Sequence, residues 1–147
     1  MPGDTTGVFE DYVHLKLEQC IGRDLGFLEV KSPSNGYERP KGELIMIGYP
    51  QDRWTAPGIT VETGCRAHHE SAGIGGATLD CSSMPGSSGS PVLERQNDGG
   101  YLVAGILKAG GFVHAEKFDV STANWMVLSD AFAESIQEAR YDIEPHT

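Results

Sequence analysis

Between Ser90 and Gly110 the chain reads SPVLER, then QNDGG, then YLVAGILKAG. Two apolar runs of strand length flank a turn rich in Asn, Asp and Gly. Those turn residues accept the backbone angles of a chain reversal, and the flanking apolar residues favour extended backbone. The stretch predicts an antiparallel hairpin, and a lone hairpin needs further strands to be stable. The rest of the sequence supplies them. DYVHLKLEQ (Asp11–Gln19), ELIMIG (Glu43–Gly48), GITVETGC (Gly58–Cys65) and TANWMVL (Thr122–Leu128) each read as a short strand. HHESAGIGGATLDC (His68–Cys81) reads as a second hairpin with a glycine-rich tip, and KSPSNGYERPKG (Lys31–Gly42) as a loop. SDAFAESIQEAR (Ser129–Arg140) is the one helix, with Ser129 as N-cap and Phe132, Ile136 and Ala139 or Ala133 on a shared face. Short strands closed by Gly and Pro turns, followed by a terminal helix, predict an all-β sandwich or barrel with a C-terminal α-helix.

The chain's 147 residues are enough for one domain with a real core. Its formal charge of −10 argues against a phosphate-binding surface, which needs a surplus of Lys and Arg, so no nucleic acid is expected as a partner. The ordinary role of such a charge is solubility. No apolar run approaches the length of a membrane span, and no membrane partner is expected. Residues Met1 to Glu10 lack the charged-then-apolar layout of a signal peptide. Cysteines number three, Cys20, Cys65 and Cys81, so at least one thiol is unpaired within the chain.

The segment DCSSMPGSSGSPVLE (Asp80–Glu94) has the composition of a linker, yet strand signal bounds it on both sides. Gly86-Ser87-Ser88-Gly89-Ser90-Pro91 resembles the nucleophile loop of chymotrypsin/trypsin-like serine proteases, which reads GDSGGP in most members and GxSGSP in the bacterial glutamyl-endopeptidase-like branch. The neighbourhood agrees. SPVLE with YLVAGI resembles the family's hairpin after the nucleophile, IMIGYPQDR its V.GYPGD segment, AFAESI its C-terminal helix, and DYVHLKL its DIALLKL stretch. The resemblance covers nearly the whole chain in the right order. It implies serine endopeptidase chemistry on protein or peptide substrates, without a cofactor or metal. Ser88 takes the place of the nucleophile. The N–H groups of Gly86 and Ser88 take that of the oxyanion hole, where two backbone donors converge on one developing charge. Asp11 takes that of the triad carboxylate.

The family's base is a His in a TAAHC-like segment well ahead of that Asp, and no such segment is present here. None of His14, His68, His69, His114 and His146 stands in its place, and each reads as a solvated or hydrogen-bonded histidine. The expected fold is therefore a trypsin-like double β-barrel with the second barrel complete and the first only partly present. Residues 1–30 form the remnant of the first barrel and the inter-barrel connection, and 31–147 the second barrel with its helix. The chain is expected to be a C-terminal portion or a degenerate homologue, inactive alone, with a missing N-terminal barrel as partner.

Counting back six residues from Ser88 reaches Ser82, which matches the floor of the family's primary specificity pocket. A neutral residue there argues against a preference for Arg or Lys. Leu107 stands near the place where the glutamyl branch uses a His, which argues against Glu. Ser82, Ser83, Leu107, Lys108, Ala109 and Gly110 are the expected pocket walls. Lys108 is long enough to reach an acidic side chain, and a solvated surface lysine is its ordinary reading. Ser87 replaces the Asp that captures a new N-terminus in activated zymogens. Cys65 and Cys81 flank the hairpin that leads into the loop. A disulfide between them would close about 15 residues, contribute about 3 kcal/mol, and imply an oxidising, secreted or periplasmic setting for the parent protein. Two alternatives stand beside the peptidase. One is a catalytically inactive, protease-like module that binds peptides. The other is a small β domain stabilised by zinc through Cys65, His68, His69 and Cys81.

Overall fold

The computed structural model describes residues 12–32, 38–50, 58–71, 75–82, 85–108, 119 and 123–141. Nearly all regular structure belongs to one sheet. Its strands are β1 (Glu29–Val30), β2 (Leu44–Gly48), β3 (Thr60–Cys65), β4 (Ala67–Ser71), β5 (Gly76–Leu79), β6 (Pro91–Arg95), β7 (Tyr101–Lys108) and β8 (Asn124–Leu128). Along the sheet the order is β3-β2-β6-β7-β8-β5-β4, and every pairing in that path is antiparallel. The two end strands are consecutive in the chain, with Arg66 alone between them. The sheet thus curls back toward its own start, and the fold is all-β and barrel-like.

The strands form where the sequence alternates against a common interior. In β2, Leu44, Met46 and Gly48 are buried while Ile45 and Ile47 are half-buried, the period-two pattern of a sheet with one inner face. Leu44, Met46, Leu79, Val92, Leu107, Met126 and Leu128 meet inside with Ala67, Ala77 and Ala104. The hairpin β6–β7 closes through the predicted turn, with Gln96 N–H donating to Gly100 O and Gly99 N–H to Gln96 O. β4 and β5 form the second predicted hairpin, whose tip lies outside the described residues. The C-terminal helix α2 spans Ala133–Tyr141. Ser129 is not its N-cap. It opens a 3-10 turn, Ser129–Ala131, and is itself buried, because β8 runs directly into that turn. Phe132 and Ala133 carry the buried contact of this region, Ile136 is half-buried and Ala139 is exposed.

The N-terminal region departs from expectation. The described part of Asp11–Gln19 forms no strand, and a single helical turn, α1 (Gly22–Leu25), follows it. Alternating side chains make a strand only where another edge offers hydrogen bonds, and among the described residues no edge reaches this segment. Val13, Leu15 and Leu17 are 74%, 80% and 60% exposed. Among the described residues the chain first joins the sheet at β1, which lies parallel to β7 with Glu29 opposite Leu102 and Val30 opposite Val103. Lys31 N–H extends the pairing to Val103 O, and the Lys31 ammonium meets Glu94 Oε2 at 2.6 Å. Glu94 is buried at the centre of this junction and also accepts the N–H groups of Lys41 and Gly42. Burial alone would raise its pKa. The hydrogen bond and charge of Lys31, with the two backbone donors, outweigh burial and hold it below its ordinary value.

Candidate functional site

The loop from Asp80 to Pro91 leaves β5 and enters β6, so both its ends are fixed by the sheet. Its entry is held at three consecutive residues, Asp80, Cys81 and Ser82. Asp80 accepts Arg66 N–H with Oδ1 and meets His68 Nε2 with Oδ2 at 2.8 Å. Cys81 is joined to Cys65, as the hairpin predicted. The buried Asn124 amide donates to Cys81 O at 2.6 Å. Ser82 N–H donates to Glu62 Oε1 at 2.8 Å. Its exit is tied to β7, with Gly89 N–H donating to Leu107 O and Leu107 N–H to Ser90 O, both at 2.8 Å. A flexible linker has none of this.

Between these anchors the chain turns through Gly86 and Gly89, with φ of 94° and 85°. Residues with a Cβ rarely adopt such angles, which is why glycine stands at both places. Ser87 and Ser90 are buried, whereas Ser88 is exposed between them. Ser90 N–H donates to Ser87 O and tightens the turn. The N–H groups of Gly86 and Ser88 have no acceptor among the described residues. The end of β2 packs against the same turn. A Cβ at Gly48 would overlap Ser90 Oγ, so the GYP and GSSGSP motifs, far apart in sequence, touch in space through a glycine.

Of the expected pocket residues, Ser82 and Leu107 are brought to opposite ends of this loop. Leu107 points into the core, and Lys108, its neighbour on β7, alternates to the other face. Ser83, Ala109, Gly110 and Asp11 lie outside the described residues, as do His114 and His146. His14 lies against the ring of Tyr12, and His68 is engaged with Asp80. With Cys65 and Cys81 bonded to each other, their thiolates are not available as donors. Among the described residues no group of three or more His, Cys, Asp or Glu is placed to hold a metal ion. Glu62 and Asn124 were not visible as site residues in the sequence. Each reads as an ordinary strand residue until strand pairing brings it to the loop.

A separate groove of about 710 Å³ lies away from this loop, lined by Leu15, Leu17, Ile21, Phe27, Leu28 and Ile136 among others. No helix among the described residues is long and apolar enough to cross a membrane. No protein-family model matches the chain, and no curated protein matches it.

Proposed function

We propose that the chain carries the acyl-transfer half of a serine-type endopeptidase on a trypsin-like second barrel. Ser88 is the nucleophile, and the N–H groups of Gly86 and Ser88 are the oxyanion donors. One observation carries the reading. An exposed serine sits in a doubly anchored, glycine-shaped turn beside backbone donors that have no acceptor among the described residues. Fixed donors beside a nucleophile, not spent on the fold, are what a tetrahedral intermediate needs. The base and its carboxylate belong to the part of the reaction that Asp11 and a histidine outside the matched positions would serve. The exposed Val13, Leu15 and Leu17 support the same reading, because in the resemblance this stretch belongs to a first barrel that covers it. A second reading is favoured by His68, whose ring is committed to Asp80: a module that retains the cleft and binds peptides without cutting them.

Covalent labelling tests the proposal on the chain as it exists. A small neutral fluorophosphonate should modify Ser88 and no other serine. Added imidazole should accelerate the labelling, since it supplies the missing proton acceptor. Ser88→Ala should abolish the adduct, while Ser87→Ala and Ser90→Ala keep it. Without imidazole, peptide turnover should be undetectable. Labelling scattered over several serines, or none at Ser88 with imidazole present, overturns the acyl-transfer reading in favour of the binding module.

A further inference from the structure

Glu62 is an anomaly on its strand. In the antiparallel pair β2–β3 it stands opposite Met46, and Leu44 stands opposite Cys65. Residues directly opposite in a sheet share a face. Met46, Leu44 and Cys65 are all core residues, so Glu62 points to the inner face as well. An inward carboxylate is expensive unless its charge is met. Here one oxygen is met by Ser82 N–H. The other, Oε2, has no hydrogen-bond partner among the described residues, and no polar side-chain atom there is both buried and unpaired, so Oε2 keeps contact with solvent. The Cys65–Cys81 bond fixes this arrangement, holding the residue before Ser82 against the end of the strand that carries Glu62.

We infer that Glu62 gives the site a preference for cationic side chains, with Oε2 as the acceptor for a lysine or arginine of the substrate. This rests on the reading of Ser82 as pocket floor, six residues ahead of Ser88. It reverses what the neutral Ser82 implied, because the negative charge comes from a different strand. Lys108 does not cancel it. That side chain alternates away from Leu107 to the opposite face and is already engaged. The chain's charge of −10 acts in the same direction, drawing cationic ligands toward the molecule.

The test separates binding from chemistry. Butylguanidinium, titrated while the backbone amide signals are followed, should shift Ser82 saturably, and butanol should not. Glu62→Gln keeps an oxygen to accept the Ser82 N–H and removes the charge, so its thermal unfolding should match the parent. Its affinity for butylguanidinium should fall by about tenfold. In parallel, a fluorophosphonate with a butylguanidinium arm should label Ser88 faster than one with a pentyl arm, and Glu62→Gln should bring the ratio of the two rates to about one. No shift at Ser82 in the parent, or unchanged affinity in Glu62→Gln, overturns the inference even where neutral reagents label Ser88. Binding lost in Glu62→Gln together with an unreactive Ser88 upholds the cation site and defeats the acyl-transfer reading alone.

Discussion

Single residues decide this loop through the space they leave. Gly48 has no functional group, yet a methyl there would strike Ser90 Oγ. Gly48→Ala should therefore destabilise the fold by about 1–3 kcal/mol, the usual cost of overpacking, and slow fluorophosphonate labelling of Ser88. A urea melt and a labelling time course check both effects. An unchanged labelling rate would show that the turn does not depend on the end of β2. Glu94 acts through charge instead. Its folded pKa lies below its ordinary 4.5, held there by Lys31 and the N–H groups of Gly42 and Lys41 against the opposing effect of burial. A carboxylate with a depressed folded pKa contributes stability that is fully present above the unfolded value and lost as pH falls through the folded one. Stability should thus decline below about pH 4.5, and Glu94→Gln should flatten that decline while lowering stability at neutral pH. Urea midpoints at pH 7 and pH 3 for both proteins measure it. Parallel declines would remove Glu94 from the account.

At the level of elements, the strands most legible in the sequence are those whose alternation ends in turn residues. Leu44–Gly48, Pro91–Arg95 and Tyr101–Lys108 emerged within a residue or two of their expected limits, as did the Cys65–Cys81 pair. Asp11–Gln19 misled because alternation reports what a strand can bury, not whether a neighbouring strand is there to pair with it. Ser129 misled because a capping residue type also suits a 3-10 turn. Glu62 and Asn124 were illegible for another reason. Their roles come from non-local pairing, and nothing near them in sequence announces Ser82 or Cys81. The disulfide spans 16 positions and pins the hairpin β4–β5 to the end of β3. Reduction should lower unfolding free energy by about 3 kcal/mol if loop entropy is the main contribution. Denaturant midpoints with and without reductant, compared with Cys65→Ser/Cys81→Ser, check this. No shift would mean that the unfolded chain gains little from the missing link.

Across the whole molecule, order is uneven. From Tyr12 to Leu28 the chain exposes seven large apolar side chains, Val13, Leu15, Leu17, Ile21, Leu25, Phe27 and Leu28. Five of them, Leu15, Leu17, Ile21, Phe27 and Leu28, line one groove, and clustered exposed apolar side chains of this kind commonly mark an interaction site. The sheet begins at β1, where Lys31 N–H is already bonded to Val103 O. Hydrogen exchange should therefore be fast from Tyr12 to Glu18 and slow in β2, β6, β7 and β8, with protection starting at Lys31 rather than at β2. Slow exchange before Ile21 would indicate pairing of the N-terminal segment with something this sheet does not provide.

The Cys65–Cys81 bond also bears on how the molecule survives being cut. It closes a covalent ring that contains all of β4 and β5, including the hairpin tip. A proteinase that nicks the chain anywhere inside that ring leaves two pieces still joined, with Ser88 on the second. The same nick in a reducing compartment leaves them held by strand pairing alone. A covalently joined two-chain form is therefore open to this molecule only where its disulfide is stable.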